Sequence, residues 1–207
     1  MIITKTPLRL SFLGGGTDLR SFYKLEDGKV LSCSINKFLY VIVKKNQSYV
    51  DFKYRVNWSK TEFANRLDNI KHPIVREVLR YFKIKFPIEI STFAEIPANT
   101  GMGSSSAFAV GLIKAVSKLL GKNYSNKKIA KIASWIEVDV LKRNMGKQDH
   151  YGCSVGGLKF LTFKKNENIL IKKIDINKKN KIKLNNSLFV FFLNKKKDTS
   201  YILESQK

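Results

Sequence analysis

Apolar positions alternate with polar ones through Ile2 to Phe12, and again through Val30 to Ile35, Phe38 to Val43 and Tyr49 to Tyr54. That period of two predicts four strands in the first third of the chain. The spacing then changes. Ile74, Val75, Val78, Leu79 and Phe82 recur at helical intervals behind His72-Pro73, and Pro87 to Phe93 returns to alternation. Ala107 to Leu120 reads as a strong helix stopped by Gly121, and Ser125 caps a second helix running to about Leu141, the two forming an antiparallel pair. Short strands follow at Leu158 to Phe163, Ile169 to Ile174 and Leu188 to Leu193. Strands, a helical middle and strands again, without a strict βαβα rhythm, predict one α+β domain with a mixed β-sheet covered by helices. Asp198 to Glu204 looks like the start of a helix that stops, as if the chain were incomplete there.

Composition narrows the function classes. The 207 residues are 43% apolar, enough for a sizeable core, which excludes a disordered tail. A formal charge of +23 would ordinarily suggest nucleic acid or an anionic membrane, but the cations are 32 Lys against 7 Arg and are scattered among Asn and Ile. Lysine clusters at 164–165, 172–173, 178–183 and 195–197 read as a solvated face, so neither a specific nucleic-acid partner nor a membrane is expected. No run reaches the length of a spanning helix, and residues 1–7 lack the features of a secretory signal, making the cytoplasm the default. Cys33 and Cys153, far apart and in no CxxC spacing, read as buried free thiols.

The segment with the most chemistry is Pro97-Ala98-Asn99-Thr100-Gly101-Met102-Gly103-Ser104-Ser105-Ser106-Ala107, between a strand and a long helix. Gly101 and Gly103 let backbone approach an anion, and the amides and dipole of the following helix start point toward it. Serine hydroxyls there reach phosphate or magnesium. The alternative is a Gly-rich turn with a serine cap. It is not a Walker A loop, since no Gly-Lys-Ser/Thr follows. Arg9 stands at the end of the first strand beside Gly14-Gly15-Gly16, where a fixed guanidinium would meet a phosphoryl group or a surface carboxylate. Read alone, Asp18 is a turn residue, Asp149 a cap or turn residue in a loop between a helix and a strand, and Glu137 an exposed helix charge.

Pro97 to Ala107 resembles the phosphate-binding signature of the GHMP small-molecule kinases. Thr6 to Asp18 is similar to the amino-terminal motif of that superfamily, in the triple-glycine form of the bacterial heptose 7-phosphate kinases. Gly146-Lys147-Gln148-Asp149-His150-Tyr151, followed by Gly156-Gly157-Leu158-Lys159-Phe160, resembles its third segment. The resemblance implies a ribosomal protein S5 domain 2-like fold and an ATP- and Mg2+-dependent kinase phosphorylating the anomeric hydroxyl of a heptose 7-phosphate. It implies Asp149 as base, Arg9 as catalytic cation, and a nucleotide loop of Pro97, Thr100, Gly101, Met102, Gly103, Ser104, Ser105 and Ser106. Gly15, Gly16, Thr17 and Asp18 would meet the sugar, and Ser105 with Glu137 would hold magnesium. Arg9 or Lys147 would keep Asp149 ionised, Tyr54 and Trp58 read first as core or surface aromatics although the family's adenine pocket borders this region, and His72 is a helix-entry residue. Lys44, Lys45, Lys195 and Lys196 would be free to meet a 7-phosphate. His150 departs from the Gln usual beside the aspartate.

The resemblance spans the amino-terminal domain, residues 1–207, and the family's carboxy-terminal domain is not in this chain. The isolated chain is then expected to be a poor kinase, with an exposed apolar face favouring a homodimer. Open alternatives are a fucokinase-like or other sugar 1-kinase, an inactive truncated remnant, and a basic RNA-binding module.

Overall fold

The computed structural model describes residues 1–47, 51–98 and 100–191. Among the described residues seven strands form one sheet: β1 (Ile2–Leu13), β2 (Gly28–Lys45), β3 (Tyr54–Asn57), β4 (Thr61–Ala64), β5 (Ile88–Ala94), β6 (Leu158–Phe163) and β7 (Ile169–Lys173). The helices are α1 (Arg20–Tyr23), α2 (Pro73–Tyr81), α3 (Ser104–Leu119), α4 (Asn126–Ser134), α5 (Gln148–Val155) and α6 (Lys178–Asn186). A 3-10 turn, Leu67–Asn69, precedes α2, and a π-helical turn, Trp135–Val140, continues α4.

The 18-residue β2 organises the sheet. Antiparallel β1 runs along one edge, from Ile2 opposite Val43 to Leu13 opposite Leu31. The other edge is shared end to end, with β6 on Gly28 to Cys33 and β5 on Leu39 to Lys45, both antiparallel. Between them the ladder opens. Parallel pairing of β3 with β5 makes the sheet mixed. Val30, Val41 and Val43 of β2 are fully buried, with the fully buried α3 residues Leu112, Ile113 and Val116 in the helical layer. Such β-branched residues suit a pleated, covered surface.

The two strands expected at 30–35 and 38–43 are this single β2, because the polar Asn36-Lys37 pair lies within it rather than in a turn. Tyr49 and Val50 lie outside the described residues, and the next strand begins only at Tyr54, not before it. The 74–82 helix starts at Pro73, with His72 Nδ1 accepting from Val75 N at 3.5 Å, so His72 is the helix-entry residue expected. Ser125 caps α4 by accepting from Lys128 N at 3.2 Å. Its helix does not continue to Leu141 in α form: it widens into the π turn, a form over-represented at functional sites. Residues 188–191 form no strand, and Phe192 and Leu193 lie outside the described residues, as do Lys195 to Lys197 and 198–204. Helix α6, absent from the expectation, is capped by Asn177 and has no buried residue, so its lysines are a solvated face. Cys33 is half-buried rather than buried, while Cys153 is buried. No described helix is long and apolar enough to cross a membrane.

Candidate functional site

Arg9, on β1, joins three parts of the chain. Its Nε and Nη2 lie 2.8 and 2.7 Å from Asp149 Oδ1, its Nη1 donates to Gly101 O at 2.6 Å, and its backbone N donates to Met102 O at 3.2 Å. Burial by itself would lower the Arg9 pKa, but the charge and hydrogen bonds of Asp149 leave it raised. The guanidinium therefore remains a fixed cation. Asp149 lies in the first turn of α5, not in a loop, because α5 begins at Gln148. The start of α5 and Arg9 both place positive potential beside it. Lys147 does not serve as that partner: its Nζ is 2.6 Å from Glu167 Oε2.

Asp18 is buried behind this pair. It accepts from Gly16 N at 3.2 Å and from Gln148 N and Nε2 at 2.9 and 3.1 Å. Burial pushes its pKa up, the backbone N–H of Gln148 pulls it down, and the nearby Asp149 pushes it up again, leaving it raised. Gly146 permits the approach, since a Cβ there would overlap Asp18. The sequence reading of Asp18 as an open turn residue missed this clamp; Gln148, which also accepts from Ser11 Oγ at 2.8 Å, gave no signal of it. Thr17 Oγ1 ties the glycine turn, donating to Gly14 O at 2.7 Å and accepting from Lys29 N at 2.9 Å.

The loop 100–103 leads into α3. Gly103 sits at φ 75°, a left-handed conformation that strains other residues, and directs Ser104, Ser105 and Ser106 into the first helical turn. Ser106 Oγ is buried with no hydrogen-bond partner among the described residues. A cavity of about 380 Å³ is lined by Arg9, Gly14, Gly15, Thr100, Gly101 and Gln148, so both glycine-rich segments open onto one space. Pro97 is exposed at the outer end of the loop, where Thr100 Oγ1 donates to its carbonyl at 3.4 Å.

Glu137, on the π turn, is fully buried rather than an exposed helix charge. Its Oε1 accepts from Ser105 Oγ and Arg143 Nη1, both at 2.7 Å, and its Oε2 lies 2.9 Å from His150 Nε2. Burial would raise its pKa, but His150, then Ser105 and Arg143, outweigh that and hold it below the usual carboxylate range. Asp139 points elsewhere, to Arg20 Nη2 at 2.8 Å. The hard oxygens of Ser105 and Glu137 meet the donor chemistry magnesium requires. The sequence marked His150 only as a departure beside Asp149, and Arg143 carried no signal at all.

Tyr54 lies in the core, its hydroxyl donating to Ile84 O at 3.2 Å, in line with its first reading as a core aromatic rather than a wall of the adenine pocket. Trp58 is partly exposed, with its ring 4.8 Å from that of His72, which is 4.9 Å from Phe108 of α3. Burial lowers the His72 pKa, in keeping with a neutral ring that accepts from Val75 N. Lys44 and Lys45 are exposed at the end of β2.

Residues 69–157 match the family model described as GHMP kinases N terminal domain. Over its full length the chain is 28% identical to D-glycero-alpha-D-manno-heptose 7-phosphate kinase of Campylobacter jejuni, and spans 63% of that protein. It is 30% identical over 165 residues to mevalonate kinase of Saccharolobus solfataricus, covering 76% of this chain and half of that one. Among solved structures, a D-glycero-D-manno-heptose 1-phosphate kinase from Bacteriodes thetaiotaomicron superposes with a TM-score of 0.77 at 22% identity, over 86% of this chain and 61% of that one. A sugar kinase assigned as putative from Campylobacter jejuni gives 0.66 at 28% identity, over 84% and 56%. The three motifs, the mixed sheet and these similarities agree: the chain carries a GHMP kinase N-terminal domain.

Proposed function

We propose that residues 1–207 are the ATP-binding domain of a sugar kinase that transfers the γ-phosphate of ATP to the anomeric hydroxyl of a sugar phosphate. The sugar is D-glycero-D-manno-heptose 7-phosphate, and the product serves nucleotide-heptose and surface polysaccharide synthesis. Similarity to the heptose 7-phosphate kinase, of which this chain spans 63%, supports the substrate. The observation that carries the reading is Arg9, paired with Asp149, lining a cavity shared by the glycine turn and the phosphate loop.

In this reading the amides at the start of α3 and residues Thr100 to Ser106 hold the triphosphate. Gly15, Gly16 and Thr17 shape the sugar side, and Asp18 fixes Gln148 beside it. Asp149 Oδ2, which takes neither of the Arg9 bonds, accepts the hydroxyl proton as the sugar oxygen bonds to the γ-phosphorus and the bond to the β-phosphate oxygen breaks. Arg9 holds Asp149 in place through its Oδ1 and faces the charge that develops. Ser105 and Glu137 would hold magnesium, which supplies neutralisation of phosphate charge when bound. Catalysis is then mostly positioning and charge compensation.

Release of ADP measured across heptose 7-phosphate, mevalonate, galactose and fucose, with the full-length protein containing this chain, tests the assignment. Heptose 7-phosphate should show the highest kcat/KM. Preference for another acceptor refutes the substrate; ATP binding absent from the chain refutes the kinase reading.

A further inference from the structure

One atom of Arg143 stands where two proposed metal ligands meet. Its Nη1 is 2.6 Å from Ser105 Oγ and 2.7 Å from Glu137 Oε1, and those two oxygens are themselves 2.7 Å apart. A guanidinium nitrogen therefore fills the position from which a cation would touch both. We infer that Arg143 is the resident counter-ion of Glu137, which a divalent cation must displace in order to bind. This rests on the reading of Ser105 and Glu137 as the metal pair.

Burial makes such a resident cation necessary. The Glu137 side chain has no exposure, and an ionised carboxylate with no charged partner in that setting is strongly disfavoured. Of its two charged or chargeable partners among the described residues, His150 is also fully buried and lies on the opposite oxygen, where it fixes the orientation of the carboxylate. Arg143 differs. Its side chain is 36% exposed and reaches inward from the irregular segment between the π turn and α5. Its backbone N donates to Glu137 O at 3.0 Å, so the main chain can stay in place while the side chain turns out to water. Like charges cannot share the oxygen: a guanidinium and a divalent ion within about 3 Å of each other repel strongly at any protein dielectric. Exchange keeps the buried charge covered in both states. It also releases a guanidinium beside the phosphate loop when the metal arrives.

Mn2+ alone, without nucleotide, is the probe, with free ion measured by electron paramagnetic resonance. Arg143→Gln keeps hydrogen-bonding groups toward Ser105 and Glu137 but removes the charge, and should bind Mn2+ about tenfold or more tightly than the parent. Arg143→Lys, which keeps the charge, should stay closer to the parent. Glu137→Gln in the Arg143→Gln background should abolish the gain. In the unaltered protein, Mn2+ should also speed modification of Arg143 by phenylglyoxal, read by peptide mass spectrometry, which needs no variant to fold. Unchanged Mn2+ affinity in Arg143→Gln, or unchanged labelling at saturating Mn2+, overturns the displacement if Glu137→Gln still weakens binding. Insensitivity of Mn2+ binding to Glu137→Gln removes the metal pair itself, and the inference with it.

Discussion

Gly146→Ala adds one methyl group at the point where Asp18 clamps the start of α5. The new Cβ would overlap Asp18 Oδ2 and Cγ and lie 2.8 Å from Oδ1, where ordinary contact begins at 3.4 Å. Gly146 is not among the positive-φ glycines, so alanine suits its backbone and the clash alone sets the cost. To relieve it, Asp18 must withdraw from Gln148 N and Nε2, now 2.9 and 3.1 Å away. Hydrogen bonds to a charged group contribute roughly 1.5–3 kcal/mol each, and the stiffer unfolded chain offsets about 0.4–1 kcal/mol. A net loss of about 3 kcal/mol follows, which at a slope of about 2–3 kcal/mol/M moves a urea midpoint down by roughly 1 M or more. Asp18→Ala removes the obstacle, so the double variant should be less destabilised than the sum of the singles by at least about 1 kcal/mol. Urea denaturation of all four proteins, followed by tryptophan fluorescence, measures both quantities. A Gly146→Ala protein within about 0.5 kcal/mol of the parent, or strict additivity, would refute the clamp.

Three further outcomes are expected. Asp149→Asn should lower sugar phosphorylation by about 10²-fold or more in the full-length kinase while nucleotide affinity stays nearly intact, as measured by steady-state turnover and calorimetry; near-parental turnover makes Asp149 structural. Gly103→Val places a branched residue at φ 75° beside the Arg9 side chain, so ATP binding to the folded protein should fall markedly by calorimetry, and unchanged affinity would remove the loop from the nucleotide site. Burial pulls the Lys159 pKa from 10.5 down to about 8, so between those pH values the unfolded chain holds more protons and folding stability gains with rising pH. That gain, at most about 3 kcal/mol, should vanish in Lys159→Met when stability is measured by denaturation from pH 7.5 to 10.5, and equal pH slopes in both proteins would contradict it.

Elements with a strong local period were legible in the sequence: β1, α2, α3 and β6 lie close to where alternation or helical spacing put them. The continuity of β2 was not, because Asn36 and Lys37 are read as turn formers when their neighbours in space are unknown. The π turn carries no distinctive residue pattern, and with it went the burial of Glu137. The resemblance to the GHMP kinases, and not residue type or spacing alone, nominated Arg9, Asp149, Ser105 and Glu137, and the fold brings them into two adjoining clusters. Their neutralising partners were the illegible part. Lys147 was a reasonable partner for Asp149 on proximity in sequence, yet helix geometry directs it to Glu167, whereas Arg143 reaches Glu137 through a segment with no period.

The shared edge of β2 has a consequence for how the domain is assembled. β1 and β2 are neighbours in the chain and can zip together early, and β5 adds to the Leu39 to Lys45 half soon afterwards. The other half, Gly28 to Cys33, stays unpaired on that side until β6 arrives more than a hundred residues later, and α5 immediately precedes β6. Such long-range pairing carries a loop-closure cost that slows it. During synthesis the first 100 residues therefore leave the ribosome with Arg9 already placed on its strand but without its carboxylate. Asp149 and β6 emerge close together, which ties the Arg9–Asp149 contact to this late pairing rather than to the early β1–β2 hairpin.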